Sequence, residues 1–359
     1  MAGEKRGDGV RPASGGHQGS PGSRPVTMRD IARATNLSQS TVSRVLNGTP
    51  TVIPIADDTR ERVLATATTL GYRPNPFARG LRGASTMLLG LIVRDITDPF
   101  FAGAIEAVTT VAGSRGYNVV LGHAHARADE AITLWSVLEA RHCDAILLLG
   151  DMRDQPRLLQ DLAGAHVPVV ALWQGTQATG VPSVGVDNQA GIRAVLDHLI
   201  ELGHRRIAFV GGRRLGDIKE REEAFVQHVA RLHEPLREGY VQHGVNEPAS
   251  GVTALERLLV LPEPPTAVVA ATDVLAIGLL HAAHERGLRV PDQLSITGFD
   301  DLPLAAFTVP SLTTVGMPVR EIIEHAVRMA LGEEQARDRP PPVLEPALVV
   351  RASTGPAAR

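Results

Sequence analysis

A single cysteine, Cys143, among 359 residues excludes an internal disulfide framework and fits a reducing compartment. No apolar run approaches the length of a membrane span: AILLLG, residues 145–150, is among the longest. The opening MAGEKRGDGVRPASGG lacks the apolar centre of a signal peptide, so the expectation is a cytoplasmic protein with no membrane partner. No G-x-G-x-x-G follows a strand, and neither a P-loop nor a G-x-S-x-G elbow is present, which argues against an enzyme. His123 and His125 in GHAHA raise the question of a metal, but the sequence places no further ligand near them, and two solvated loop histidines are the reading it favours. No metal or cofactor is expected. After Arg351 the ending RASTGPAAR cannot form a coiled coil, so the expected assembly is a homodimer.

What is there begins with charge. The net charge is −3, yet residues 1–82 hold 12 Lys and Arg against 6 Asp and Glu, a net +6, and residues 83–359 hold 24 against 33, a net −9. A basic end suits phosphate contact while the rest of the molecule stays off a polyanion. Residues 1–25 are rich in Gly, Ser, Pro and Arg with almost nothing apolar, and read as a disordered tail.

Within the basic end lies NLSQSTVSRVLNG, residues 36–48. At about 100° per residue, with Gln39 at zero, Ser43 falls near 40°, Ser40 near 100° and Arg44 near 140°, while Val42, Val45 and Leu46 gather around 300°. One helical face is apolar and the other is made of hydrogen-bonding groups. Ser38 is placed to cap this helix, and Asn47-Gly48 supplies a left-handed stop. Upstream, Thr27 followed three residues later by Asp30 reads as a cap opening a helix with Ile31 and Ala34 inward. The tight turn around Thr35-Asn36-Leu37 joins the two. The pair fits a helix-turn-helix whose second helix suits base edges in a major groove; it also fits an ordinary helical hairpin with a solvated face. A third helix is expected from about Ala56 to Leu70, with Val63, Ala67 and Leu70 on one side.

The segment YRPNPFARGLRGAST, residues 72–86, could form about two helical turns around Leu81, but nucleation makes isolated helices below about 12 residues marginal, and Gly80 costs roughly another 1 kcal/mol. It reads either as a minor-groove wedge that folds on its groove or as a plain linker. From Met87 onward strands alternate with helices in two successive runs, which indicates two parallel-sheet lobes. The last strand, helix and strand, LTTVGM, VREIIEHAVRMALG and PALVVR, cross back to complete both lobes.

VTMRDIARATNLSQSTVSRVLNG, YRPNPFARGLR, GLIVRDITDPFF, HLIELGHRRIAFVGG and SITGFDDLPLA, in this order and spacing, resemble the LacI/GalR family of bacterial transcription regulators over roughly residues 26–354. The resemblance implies an N-terminal all-α helix-turn-helix headpiece at 26–72, a hinge helix at 73–86 and a two-lobed α/β, periplasmic-binding-protein-like sensor domain at 87–354. The N-lobe would take about 87–186 and 316–339, the C-lobe about 187–315 and 340–354, with 355–359 a tail. It implies a dimeric repressor bound to a near-palindromic operator in double-stranded DNA and controlled by a small-molecule effector, a sugar or sugar derivative.

Carried over position by position, the DNA-binding set is Thr27, Ser38, Gln39, Ser40, Thr41, Ser43, Arg44 and Asn47 in the headpiece, with Asn75, Ala78, Leu81 and Arg82 in the hinge. The effector set is Asp95, Phe100, Phe101, Trp173, Arg221, Thr272 and Asp300. Carboxylates and a guanidinium bind hydroxyl pairs, and aromatic rings cover an apolar ring face. The same residues have plainer readings: Phe100 and Phe101 as core, Asp300 as a turn cap, Arg221 as a surface ion pair. The chain departs from the family pattern in places. The connection after Asn47 is about three residues longer than usual, Thr272 replaces a common asparagine, Ala224 a common glycine, and Trp173 stands near a position often held by Asp. Effector identity is therefore not implied by the resemblance. A periplasmic solute receptor would show similar lobes, but the basic headpiece argues against one.

Overall fold

The computed structural model describes residues 26–47, 54–72, 85–124, 127–140, 143–151, 161–162, 164–173, 181–212, 216–231, 236–333 and 343–358. It divides into two compact units, Met1–Asn75 and Pro76–Arg359.

In the first unit α1 (Met28–Thr35), α2 (Gln39–Asn47) and α3 (Asp57–Thr69) close around one small core. Thr27 and Asp30 start α1 as a capping box, the Thr27 amide donating to Asp30 Oδ2 at 2.9 Å. Asn36, at φ 54° and ψ 40°, ends it in the left-handed region and turns the chain into α2. The core is Ile31, Ala32, Val42, Val45, Val63 and Ala67, with Met28, Leu37, Leu46, Ile55 and Tyr72 packed at its edge. Two expectations need correction. Ala34 is exposed and Ala32 with Thr35 faces inward, because the cap fixes the helix phase around Ile31. Leu70 is exposed as well, since the helix ends one residue earlier.

The second unit holds two parallel sheets. The first contains β1 (Leu88–Val93), β2 (Asn118–His123), β3 (Ala145–Leu149), β4 (Val169–Leu172), β5 (Ser183–Val186) and β11 (Val343–Leu344), in the spatial order β11-β5-β4-β3-β1-β2. Its central strands are buried on both faces, which is why they read as continuous apolar runs. Leu147 and Leu149 of β3 pack toward α4 (Pro99–Gly113) and α10 (Val319–Ala330), while Ile146 and Leu148 pack toward α5 (Ala128–Ala140).

The second sheet is ordered β7-β6-β8-β9, from β6 (Ile207–Gly211), β7 (Val241–His243), β8 (Ala267–Ala270) and β9 (Ser295–Thr297). The bridges Thr297–Thr313 and Asp300–Gly316 connect it to β10 (Thr314–Gly316), which pairs antiparallel with β12 (Ala347–Val349). Helices α6 (Asn188–Glu201), α7 (Gly216–Arg231), α8 (Pro248–Leu259) and α9 (Asp273–Glu285) cover it.

The closing segments do cross between lobes, with a boundary other than the expected one. Residues 343–344 pair with β5 and belong to the N-lobe sheet, so the final crossing follows Leu344 and not residue 340. Residues 355–357 are also no tail: Gly355 is buried, its carbonyl accepts from His204 Nε2 at 3.0 Å, and the Ala357 amide reaches Leu202 O at 2.9 Å. The C-lobe is stitched to its own terminus by backbone groups that must be satisfied when buried.

Candidate functional site

The headpiece and the lobes each offer a site. In the headpiece, Ser38 ends the turn and its Oγ accepts from the Thr41 amide at 3.1 Å, while the hydroxyls of Ser40 and Thr41 lie 2.7 and 2.8 Å from the same oxygen. These bonds fix the first turn of α2 and leave Gln39, Ser40 and Arg44 exposed, with Thr41 and Ser43 half-buried. Thr27 serves the α1 cap. Asn47 is the last residue of α2, and Asn75, Ala78, Leu81 and Arg82 lie outside the described residues. The face thus combines amide, hydroxyl and guanidinium groups on a helix anchored by Val42 and Val45.

In the lobes, Asp95, Trp173, Thr272 and Asp300 lie just beyond the C-terminal end of a parallel strand, where open α/β sheets bind ligands, and Phe100 and Phe101 open α4. Asp95 follows β1 and is turned inward on its own loop, accepting from the Thr97 amide and hydroxyl at 2.9 and 2.7 Å and facing His123 at 3.5 Å. Burial raises its carboxyl, and the bonds from Thr97 with the nearby imidazole more than offset that, leaving it below the usual carboxylate range. Asp98 caps α4 through the Phe100 amide. Phe100 is half-buried, edge-on to Trp173 at 4.8 Å between ring centres and to Phe101 at 5.4 Å. Phe101 itself belongs to the N-lobe core. Trp173 is 4% exposed at φ 56°, and its Nε1 has no hydrogen-bond partner among the described residues.

Arg221 comes from α7 and is 3% exposed. Its Nε donates to Asn188 Oδ1 at 2.9 Å, its Nη1 to Ala271 O at 2.6 Å and to Asp300 Oδ1 at 3.0 Å, and the guanidinium lies 3.6 Å over the Phe299 ring. Asn188 in turn donates to Asp217 Oδ1 and Glu220 Oε2 at 3.1 and 3.0 Å. Asp300 sits at φ 117°, a left-handed conformation that a non-glycine residue adopts at a cost, and burial drives its carboxyl well above the ordinary value despite the guanidinium. Burial raises Asp217 likewise. Arg221 and Asp300 are therefore brought together, and a surface ion pair is excluded for Arg221.

Contacts between the lobes include an amide bridge and a close backbone approach. Asn246 donates to Asp98 Oδ2 at 2.9 Å and accepts from Thr272 Oγ1 at 2.6 Å, so Thr272, the cap of α9, reaches the N-lobe through one amide. Gly216, the first residue of α7 at φ 49°, abuts Asp151, to whose carbonyl Arg94 donates. Asp98, Asn188, Asp217 and Asn246 are absent from the sequence-derived set. Asp98 before Pro99 is a helix-start signal, and Asp217 stands four residues before Arg221, a spacing that puts both on one helix face. Asn188 and Asn246 carry no such signal, because their partners come from other elements. Among the described residues no group of three side chains could hold a metal ion, and no helix is long and apolar enough to cross a membrane.

Residues 27–75 match the family described as bacterial regulatory proteins, lacI family, and residues 196–354 match the periplasmic binding protein-like domain. Catabolite control protein A of Priestia megaterium is 34% identical over 85% of this chain and 91% of its own. The lac repressor dimer bound to operator and the anti-inducer ONPF superposes with a TM-score of 0.82 at 25% identity, over 92% of this chain and 100% of that one. The complex of the transcriptional regulator CelR with cellobiose gives 0.65 at 30% identity, over 92% and 100%.

Proposed function

Because the chain belongs to the lacI family of bacterial regulatory proteins, we propose that it is a transcriptional repressor, without enzymatic activity, that binds a near-palindromic operator in double-stranded DNA as a homodimer. A small-molecule effector, a sugar or sugar derivative, sits between the two lobes and sets operator affinity. Gln39, Ser40 and Arg44 read base edges, Thr27, Ser38, Thr41, Ser43 and Asn47 line the backbone, and Asn75, Ala78, Leu81 and Arg82, outside the described residues, are the minor-groove set. In the cleft, Arg221, Asp300, Thr272 and Asp95 hold hydroxyl groups, and Phe100 and Trp173 cover a ring face, with Phe101 packed behind them in the N-lobe core.

The observation that carries this reading is one chain joining an exposed amide, hydroxyl and guanidinium face on α2 to a buried Arg221–Asp300 pair at the sheet ends. A two-fold dimer is what a palindrome requires, and Phe307 and Val309, 82% and 91% exposed, offer with the exposed Leu304 an apolar surface for it. Titration of labelled genomic fragments is the test. A specific site is expected, with affinity falling steeply with salt. Arg44→Ala weakens that site by about 1–3 kcal/mol without unfolding the headpiece. Failure to find any site, or a flat salt response, would overturn the assignment.

A further inference from the structure

We propose that Asn246 is an interlobe latch, a single amide through which the C-lobe holds the N-lobe at one spacing. Its Nδ2 donates to Asp98 Oδ2 at 2.9 Å, and its Oδ1 accepts from Thr272 Oγ1 at 2.6 Å. Both partners are helix caps. Asp98 Oδ1 accepts from the Phe100 amide at 3.0 Å and Thr272 Oγ1 from the Leu275 amide at 3.3 Å, so one line of hydrogen bonds joins the start of α9 to the start of α4. Its direction is fixed by chemistry. An ionised Asp98 can only accept, which turns the Asn246 nitrogen toward the N-lobe and leaves its oxygen for the Thr272 hydroxyl.

Both ends of the latch stand on backbone that is itself tied down. Asn246 lies in the loop between β7 and α8, where the Gly244 amide donates to Gly211 O, the Val245 amide to Ser250 Oγ, the Glu247 amide to Val245 O and the Ser250 amide to Glu247 O. Asp98 is held by its cap and by Pro99, whose ring fixes the backbone at the first position of α4. A hydrogen bond between such supports is lost once donor and acceptor part beyond about 3.5 Å, so a small opening breaks it outright. The latch thereby adds a bias toward one lobe spacing, against which any ligand of the cleft works. It stands on contacts within the sensor unit; its effect on operator affinity rests on the reading of the chain as a repressor.

The test exchanges the two polar groups in the full chain and reads the radius of gyration by small-angle X-ray scattering. Burial raises the Asp98 carboxyl while the Phe100 and Asn246 amides hold it down, so the series is run at pH 8 to keep it ionised. Asn246→Asp sets a carboxylate against Asp98 and should raise the radius while the circular dichroism of the parent is retained. Adding Asp98→Asn restores a donor facing an acceptor: the new amide keeps its oxygen for Phe100 and turns its nitrogen to the introduced carboxylate, which still accepts from Thr272. The double variant should return to the parent's radius. Asn246→Ala removes the amide without setting like charges together, and it too should expand the chain even where Asn246→Asp fails to fold. Single variants as compact as the parent, or a double variant as expanded as Asn246→Asp, overturn the latch. In the titration of labelled fragments, Asn246→Asp should shift affinity for the parent's site and the double variant should regain it; affinity unmoved by the expansion overturns the link to operator binding. If the parent itself finds no site, the repressor reading fails, and the scattering series still decides the latch.

Discussion

At the scale of single residues, Asp273 shows how burial ties stability to pH. It opens α9 fully buried, accepting from the Leu302 amide at 2.7 Å and from Thr314 Oγ1 at 2.5 Å, and burial pushes its carboxyl up to about 7. An unfolded aspartate titrates near 3.9, so between about pH 4 and 7 the folded chain holds a proton that the unfolded chain has released. Its contribution to stability is therefore largest in acid and is lost as pH rises through that window. The buried His204, held down by desolvation, works the other way and favours the folded chain above about pH 6.5. Asp273→Asn keeps an oxygen for Leu302 and supplies an N–H to Thr314, which mimics the protonated acid. Denaturant unfolding should show the variant more stable than the parent at pH 8, by up to about 4 kcal/mol, and nearly equal at pH 5. A variant weaker at both values would mean that the ionised carboxylate is the form the fold prefers.

At the scale of elements, α8 and α9 cross at two glycines. A Cβ on Gly278 would fall on the Pro248 carbonyl oxygen, and one on Gly251 on the Leu275 carbonyl, so both obstacles are backbone and cannot rotate away. Gly278→Ala should cost about 1–3 kcal/mol or more through overpacking, although alanine is the better helix former by about 1 kcal/mol. A calorimetric melt in which the variant matches or exceeds the parent would show that the helices can separate at no cost. The same pair illustrates what the sequence makes legible. The apolar runs of β1, β3, β6 and β8 and the periodic helices α6, α9 and α10 can be read directly, because two-faced burial and a 3.6-residue period leave strong patterns. Helix α8 is legible only in hindsight, from Pro248 at its start and Gly251, Ala254, Leu255 and Leu258 on one face. Strands β7 and β11, of three and two residues, are too short to carry a period and exist because a neighbouring strand is already in place.

At the scale of the whole molecule, Arg221 and Asp300 stand out in the sequence because their motifs do, whereas Asn246, which joins the lobes, and Asn188, which holds Arg221 within the C-lobe, do not. Asn246 and Asn188 matter through partners more than twenty residues away, and no local pattern encodes such distances. The lobes touch through Asn246 and at Gly216, where a Cβ would stand 2.8 Å from Asp151 Cβ, closer than such atoms approach. A larger side chain there acts as a wedge between α7 and the end of β3. Gly216→Val should therefore hold the lobes apart, raising the radius of gyration seen by X-ray scattering. If lobe closure is what the effector controls, operator affinity in this variant should no longer respond to effector, erasing a coupling of typically 1–3 kcal/mol, or about 5- to 150-fold in affinity. A valine at φ 49° also strains the start of α7, so loss of response alone would be ambiguous. Adding Asp151→Gly removes the atoms that the wedge strikes and leaves the strain in place. Recovery of both compactness and effector response in the double variant identifies the Gly216–Asp151 approach as the closing contact; a double variant as unresponsive as the single one would assign the loss to the helix and not to the cleft.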